Sequence, residues 1–197
     1  MFLAKKIRLR PSEEQEKQLW KSVGTARFIY NWTLNKQEEN YKNGGNFISD
    51  GIIRKEITQL KKSELTWLND VSNNVAKQAV KDACDAYKKF FKGLADKPKF
   101  KRRKTLKPSF YNDNVKLKAK KNSVLIEKVG WVQTAEQVPM DCQYRNPRIS
   151  FDGKYWYLSV GVEQAQQPIK LTDETIGIDM GIKDLAVCSN GTVIKNI

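Results

Sequence analysis

The chain has 197 residues, with 36 Lys and Arg against 22 Asp and Glu, a formal charge of +14 and no histidine. A chain of this length can bury one or two cores. The lack of histidine excludes Ser-His-Asp and Cys-His catalysis, and also the transposases that cut single strands with a histidine pair and a tyrosine. The positive charge favours a polyanionic partner, nucleic acid ahead of a membrane surface.

The three cysteines, Cys84, Cys142 and Cys188, are far apart and none belongs to a C-x-x-C motif. We therefore expect neither a structural disulfide nor a zinc site within this chain. No apolar run reaches the roughly 18 residues of a membrane span, and the N-terminus lacks the apolar core of a signal peptide. These features predict a cytoplasmic protein with no membrane partner.

The first half of the chain has helical periodicity after one strand. Residues 2–9 alternate loosely and predict that strand. Ser12 and Gln15 form a capping-box pattern. Four helices are expected, beginning near Ser12, Thr25, Ser49 and Ser72, with a break at Gly24 between the first two and an end at Gly93. Residues 12–93 are thus predicted to be a small bundle with helix-turn-helix-like connections.

Residues 97–128 contain twelve basic residues and only two acidic ones. A solvated tail is one interpretation, but Phe100, Phe110 and Tyr111 are interleaved with the charges, and tails lack such aromatic content. Contact with nucleic acid is therefore favoured. The candidate contact residues are Lys99, Lys101, Arg102, Arg103 and Lys104.

Short β-patterns follow the basic segment. Residues 115–118 and 124–127 predict a hairpin, and 130–132 and 148–151 predict further strands. Strict alternation over 154–162 indicates a sheet with one buried face. With the strand at 2–9, these patterns predict an α+β fold in which the helical bundle is inserted into a small antiparallel β-barrel.

The last stretch, Thr175–Ile194, places Asp179 in a short apolar run between Gly177 and Gly181. Asn190-Gly191 separates two later runs and predicts a type I′ hairpin. We expect Asp179 at the end of a buried strand, with the glycines leaving room beside its carboxylate. Ribonuclease-H-like nucleases present their first metal-binding aspartate in this way. Sugar kinases and actin-like ATPases present an Asp-x-Gly to phosphate in a similar way, so both classes stay open at this point.

Six short segments, taken in order, resemble the N-terminal half of TnpB. They are Arg27–Trp32, Trp67–Val71, Tyr87–Phe91, Lys97–Lys101, Gly130–Val132 and Ile176–Ala186. TnpB proteins, also called OrfB, are transposon-encoded RNA-guided DNA endonucleases related to type V CRISPR effectors. Because the resemblance extends over nearly the whole chain, it favours the nuclease interpretation of the final stretch over the ATPase one.

The resemblance implies three parts. These are a helical recognition domain at 10–104 that ends in the basic segment, a wedge β-barrel from 1–9 and 105–170, and the start of a RuvC-like, ribonuclease-H-like nuclease domain at 171–197. The implied partners are a guide RNA and target double-stranded DNA. The positions that match the family's readers of the motif flanking the target are Asp50, Arg54, Asn73, Asn74, Lys77, Tyr111 and Asn112.

Asp179 matches the family's first catalytic aspartate and is the expected metal ligand. Full-length members are expected to use Mg²⁺, which needs several carboxylates. The family supplies a glutamate, a second aspartate and a zinc ribbon further along, and these 197 residues contain none of them. The chain alone is therefore predicted to bind without cutting. Asp184 matches no catalytic position, and we expect it to be solvated.

Two functional hypotheses follow. In the first, the chain is the N-terminal part of an RNA-guided endonuclease, and residues 175–197 are mobile or paired with a C-terminal companion chain. In the second, it is a complete, truncated, nuclease-inactive DNA-binding protein that acts as a repressor, and the same residues pack on the barrel or close a homodimer.

Overall fold

The computed structural model describes residues 2–105, 107–140, 142–163 and 175–196. It divides into two compact units, Met1–Gln164 and Ala165–Ile197. The domain boundary predicted between residues 170 and 171 lies outside the described residues. The first unit contains β1 (Phe2–Arg10), α1 (Glu13–Lys42), α2 (Asp50–Leu60), a 3-10 helix (Thr66–Asp70), α3 (Asn73–Phe91), β2 (Ser109–Tyr111), β3 (Lys118–Lys120), β4 (Ser123–Ile126), β5 (Gly130–Thr134), β6 (Tyr144–Phe151) and β7 (Trp156–Glu163). The predicted α+β class is confirmed.

The helix α1 is continuous, so the predicted break at Gly24 is wrong. The capping box at its start is confirmed, because Ser12 Oγ accepts from the Gln15 amide at 3.3 Å and Gln15 Oε1 accepts from the Ser12 amide at 3.0 Å. A glycine inside a helix costs about 1 kcal/mol relative to alanine. Leu19 on one side of Gly24 packs in the core of the sheet, and Leu34 on the other side packs in the core of the helices. Tertiary packing at both ends therefore outweighs the local cost.

The helices α1, α2 and α3 share one core. The apolar stripe predicted along α3, through Val75, Ala79, Ala83, Ala86 and Phe90, is confirmed as far as Ala83; Phe90 at its end is exposed instead of buried. The residues of this core are Ile29, Tyr30, Leu34, Ile53, Ile57, Leu68, Ala76, Ala79, Val80, Ala83, Cys84 and Tyr87.

The seven strands of the first unit form one antiparallel sheet in the order β2-β6-β7-β1-β5-β4-β3. The strand β1 pairs with β7 from Phe2 opposite Glu163 to Leu9 opposite Trp156. The alternation predicted for β7 is confirmed, because Trp156, Leu158, Val160 and Val162 are buried and the residues between them are not. Within the described residues the sheet is open, with three-residue strands β2 and β3 at its edges. The expected closed barrel is therefore not found.

The predicted hairpin around residues 121–122 exists, but its first strand begins later than expected. The carboxylate of Asp113 accepts hydrogen bonds from the backbone amides of Val115 (2.9 Å) and Lys116 (3.1 Å). An aspartate that bonds to the amides following it stabilises a turn. Residues 113–117 are consequently a turn, and pairing with β4 starts at Lys118.

The helices are tied to the sheet by polar contacts as well as by packing. The guanidinium of Arg148 on β6 donates to both carboxylate oxygens of Asp82 on α3, at 3.0 and 3.2 Å. Gln78 holds the same carboxylate from one turn earlier, at 2.7 Å. One guanidinium nitrogen, Nη2, makes both contacts, so this charge-assisted pair fixes the distance between α3 and β6 at Asp82.

In the second unit, β8 (Ile178–Met180), β9 (Asp184–Cys188) and β10 (Val193–Lys195) form an antiparallel sheet in the order β10-β9-β8. The predicted hairpin at Asn190-Gly191 is confirmed, but its type is not I′. Of the two residues only Gly191 has a positive φ, at 83°, and its amide donates to the Cys188 carbonyl at 2.9 Å. A type I′ turn requires positive φ at both central residues.

Candidate nucleic-acid interface

A cleft of about 370 Å³ lies between α2 and α3 and contains three of the predicted contact residues. Arg54 lines it from α2, and Asn73 and Lys77 line it from α3. They come together because α3 packs against α2 and starts with Asn73, so that its first turn faces the C-terminal half of α2. Below, this feature is called the α2–α3 cleft.

Two lysines and an asparagine of the α2–α3 cleft were missed by the sequence analysis. Lys61 and Lys62 follow the end of α2, and Asn69 lies in the 3-10 helix. Lys61 is buried, and its ammonium group donates to Asn73 Oδ1. The segment between α2 and α3 has no periodicity from which the direction of these side chains could be predicted. The two adjacent lysines just after α2 nevertheless indicate a local positive charge.

The α2–α3 cleft is electropositive. Burial lowers the pKa of Lys61, and the neighbouring Lys77 ammonium lowers it further. A cation that is disfavoured by burial and by a like charge nearby gains stability when an anion binds beside it. Such a cleft is suited to a phosphate or to the electronegative edge of a base.

Arg54, which lines this cleft, has an unsatisfied donor. One of its terminal nitrogens pairs with the Asp50 carboxylate one turn earlier. Asp50, also a predicted contact residue, is thus engaged with Arg54 in the structure. The Nε of Arg54, however, is buried and has no hydrogen-bond partner. A buried donor without an acceptor costs roughly 1–3 kcal/mol. A bound acceptor at this position would remove that cost.

Asn74 and Asn112 are engaged within the fold. Ser72 caps α3 by accepting from the Asn74 amide at 3.1 Å, and the Ser72 hydroxyl and the Asn74 side chain both donate to Glu127 Oε2, at 2.5 and 3.0 Å. Asn112 is only 3% exposed, and its Oδ1 accepts from the Glu127 amide at 3.1 Å. These two residues therefore join α3 to the sheet through Glu127, and base reading by either would require it to exchange these bonds.

Tyr111 lies on the edge strand β2 and is half-buried. Its hydroxyl donates to Asn114 Oδ1 at 3.2 Å. The residue is not part of the α2–α3 cleft. Its neighbour Phe110 is 2% exposed and belongs to the core of the sheet. Phe110 was counted among the aromatic residues interleaved with the basic charges, but it is not available for stacking.

The basic segment separates into one anchored residue and several exposed ones. Lys101 exchanges two backbone hydrogen bonds with the Asn31 side chain, at 2.8 and 3.0 Å. Its ammonium group lies 3.8 Å from the centre of the Tyr30 ring, and burial lowers its pKa. The other candidates in this segment, Lys99, Arg102, Arg103 and Lys104, are exposed.

Arg103 lines a further cleft of about 340 Å³ together with Arg27, Trp20 and Gly24. Gly24 leaves the surface of α1 open there, since nothing lies within 4 Å of where a Cβ would be. Arg27 belongs to one of the segments that carry the family resemblance, and the sequence does not predict its position beside Arg103. Two arginines beside an indole ring form the type of surface that contacts a nucleic-acid backbone.

Asp179 lies on β8, opposite Val187. The expectation of a buried strand is wrong, because Ile178 is 58% exposed and Met180 is 66% exposed. A three-stranded sheet has no second layer of its own to cover its apolar side chains. Asp184, which we expected to be solvated, accepts from the Lys195 ammonium at 2.6 Å.

The glycines beside Asp179 have a different role from the predicted one. A Cβ on Gly181 would lie 3.0 Å from the backbone oxygen of Asp184, so a larger residue there would push the two backbone segments apart by a few tenths of an ångström. A Cβ on Gly177 would make only ordinary contact with Ser189, at 3.7 Å. Gly181 therefore serves the path of the chain between β8 and β9.

Across residues 2–105, 107–140, 142–163 and 175–196, no group of three or more Asp, Glu, Cys or His side chains is arranged to hold a metal ion. Asp179 by itself does not fit Mg²⁺, which takes several oxygen ligands. In the same described residues, none of the helices is long and apolar enough to cross a bilayer.

Residues 1–46, which contain β1 and α1, match the helix-turn-helix domain family of the OrfB/IS605 type. In this chain the matched part holds one continuous helix after the strand, with no turn between residues 13 and 42.

Two curated relatives match nearly the whole chain. The first, from Escherichia coli (strain K12), is named "Putative RNA-guided DNA endonuclease InsQ" and is 30% identical over 194 residues, 98% of this chain and 48% of its own length. The second, from Streptomyces pristinaespiralis, is named "Putative RNA-guided DNA endonuclease". It is 27% identical over 203 residues, which are 97% of this chain and 49% of the relative's length. The resemblance to the TnpB family is thereby confirmed, and the chain spans about half the length of these relatives.

Proposed function

We propose that this chain is the nucleic-acid-binding part of a transposon-associated RNA-guided DNA endonuclease. Three observations support the proposal: the similarity to proteins of that name over 98% of the chain, the formal charge of +14, and the electropositive α2–α3 cleft. The helices would serve as the recognition domain and the seven-stranded sheet as the wedge domain.

The buried, unpaired Nε of Arg54 carries the proposal furthest. Together with Asn73, Lys61 and Lys77 it gives the α2–α3 cleft a donor-rich, cationic lining. Asn is suited to a base edge, and Arg and Lys to a guanine edge or to phosphate. We assign this cleft to the duplex beside the target, where a short flanking motif would be read.

The exposed residues Lys99, Arg102, Arg103 and Lys104, with Arg27 on α1, would contact the guide RNA and its duplex with the target strand. In RNA-guided enzymes base pairing reads the sequence, and the protein grips the backbone. A run of exposed arginines and lysines provides sequence-independent contacts of this kind.

The three strands that follow residue 175 would begin a ribonuclease-H-like nuclease domain, with Asp179 as one ligand of a Mg²⁺ site. The other carboxylates would have to come from residues beyond those described. No cleavage step is assigned to the described residues.

The proposal is tested by selecting duplexes from a DNA library with randomised flanking positions, using protein that keeps its co-purifying RNA. The variant Arg54→Lys retains the positive charge but removes the buried Nε donor. We expect a roughly tenfold loss of affinity for the selected duplexes, the size of one charge-assisted hydrogen bond. The dependence on salt should stay the same, because the charge is unchanged.

The paired variant Lys62→Gln with Lys77→Gln should lower the salt dependence by up to about one unit of log–log slope for each lost phosphate contact. Lys42→Gln with Lys55→Gln removes the same charge from exposed positions outside the cleft and serves as the matched control. Equal effects of the two pairs, together with an Arg54→Lys variant that binds like the parent protein, would contradict the assignment of the α2–α3 cleft.

A further inference from the structure

A separate cavity of about 250 Å³ opens where α1 and α3 end. Its walls include five aromatic side chains, Tyr41, Phe47, Tyr87, Phe90 and Phe91. It shares no lining residue with the α2–α3 cleft. Pockets for drug-sized ligands measure roughly 300–1,000 Å³, so this aromatic cavity is suited to one small planar group.

The wall formed by residues 43–49 is held in place. The Gln37 side chain donates to the Ile48 carbonyl at 2.6 Å and accepts from the Ile48 amide at 3.0 Å. The Asn40 side chain donates to the Asn46 carbonyl at 2.5 Å. The side-chain amides of Gln37 and Asn40, both on α1, thus fix the backbone of the loop, and the cavity is pre-formed.

Phe91 is at the centre of the aromatic group. Its ring is stacked on that of Tyr87 with the centroids 5.9 Å apart, and it meets Phe47 edge-on at 6.0 Å. Despite these contacts, Phe91 is 58% exposed. A large ring held by its neighbours but open to solvent is a stacking platform of the type that binds bases of single strands.

Tyr87 adds a polar group without a partner. The residue is 5% exposed, and its hydroxyl is buried with no hydrogen-bond partner. Burial raises the pKa of Tyr87 to about 12, so the hydroxyl keeps its proton. Buried polar groups are rarely left unpaired. A ligand with a polar edge would satisfy this one.

Cations lie next to the aromatic residues in the sequence, whereas the two charges in the cavity lining, Lys97 and Glu38, cancel each other. Lys97 forms an ion pair with Glu38 at 3.1 Å, and both line the cavity. Lys89, Lys92 and Lys99 are exposed, flank the aromatic residues in the sequence and form no ion pair within the described part of the chain. A nucleotide matches these features, because its base has an apolar face and a polar edge and its phosphate carries a negative charge nearby.

We propose that the aromatic cavity binds an unpaired nucleobase of a single-stranded nucleic acid, with the adjoining phosphates near Lys89 and Lys92. The base would stack on Phe91, and its polar edge would reach the Tyr87 hydroxyl. This inference does not rest on the assignment of the α2–α3 cleft.

The test compares three labelled strands of equal length and equal charge: oligouridylate RNA, oligodeoxyuridylate and a strand of abasic deoxyribose. The parent protein should bind the base-bearing strands at least about fivefold more tightly than the abasic strand. Phe91→Leu should abolish that preference, whereas Phe2→Leu, which removes a similarly exposed ring elsewhere, should retain it.

Tyr87→Phe separates binding from folding. This variant should bind the base-bearing strands more weakly than the parent protein does. Its melting temperature should be equal to or above that of the parent protein, because an unpaired hydroxyl has been removed. Equal affinity for RNA and DNA would mean that base and phosphate alone are recognised, and a preference for RNA would identify the source as RNA.

Equal affinity of the parent protein for base-bearing and abasic strands would overturn the proposal, as would a Phe91→Leu variant that keeps the preference. The latter result would leave the aromatic cavity as a surface for a protein partner. The pair Lys62→Gln with Lys77→Gln should retain the base preference, so a failure of the cleft assignment and a failure here can be told apart.

Discussion

The sheet of the first unit and the sheet of the second unit have similar apolar patterns but different burial. On β7, Leu158 and Val160 are covered by other side chains of the core. On β8, Ile178 and Met180 are exposed. The second sheet has one small buried side chain among its described residues, that of Ala186. Alternating or continuous apolar residues therefore predict strands reliably, but burial requires a second layer that the strand itself does not encode.

The largest expected effect tests that contrast directly. Leu158→Ala should lower the free energy of unfolding by about 2–5 kcal/mol, because it leaves a cavity in a closed core. Ile178→Ala removes comparable apolar volume from an exposed position and should change it by less than about 0.5 kcal/mol. Chemical denaturation measures both. A loss at Ile178 as large as that at Leu158 would mean that β8 is covered.

The cysteines give a second test, because each unit has a thiol within a regular element. Burial raises the pKa of Cys84 from 9.0 to about 11, whereas Cys188 on β9 is half-exposed. Between these pH values the unfolded state loses the thiol proton and the folded state keeps it, so stability falls as the pH rises. The fall should reach about 2 kcal/mol near pH 11.

Denaturation curves between pH 8 and 11 are compared for the parent protein and Cys84→Ala, which lacks this contribution. The difference between the two proteins should shrink as the pH rises. Labelling with a thiol reagent should modify Cys188 faster than Cys84. A difference that is constant with pH would show that the Cys84 thiol ionises in the folded state as readily as in the unfolded state.

The smallest expected effect is confined to the second sheet. Gly181→Ala brings a Cβ to 3.0 Å from a backbone oxygen, which should cost about 1 kcal/mol of local stability. Gly177→Ala makes only ordinary contacts and is the matched control. Hydrogen exchange of the amides in β8 and β9 reports both. Faster exchange in the Gly177 variant than in the Gly181 variant would contradict this role of Gly181.

Local signals predicted much of the fold. The capping box at Ser12, the stripe of α3 and the alternation of β7 depend on neighbours in the sequence; the first and the third are confirmed, and the stripe is confirmed as far as Ala83. The break at Gly24 was predicted from the same kind of signal and is wrong, because α1 is held by two cores that lie on either side of this glycine. Propensity is a weak prior when packing opposes it.

The candidate site was predicted less completely. Arg54, Asn73 and Lys77 were named from a resemblance, and the structure brings them into one cleft. Lys61 and Lys62 were missed because their position depends on how the segment after α2 packs. Asn112 is the opposite case and stays a prediction: its residue type suits a base edge, but in the fold its side chain already bonds to neighbouring backbone groups. Residue type indicates what a side chain is able to bind, whereas tertiary packing decides whether it is free.

The continuity of α1 has a geometric consequence. Tyr41 lines the aromatic cavity, and Trp20 lines the cleft that contains Arg103. With a rise of about 1.5 Å per residue, the two positions lie roughly 32 Å apart along the helix axis. A helix that two cores clamp does not shorten, so this separation is constant. A nucleic acid that contacted both ends of α1 would have to place the two contacted groups about 32 Å apart.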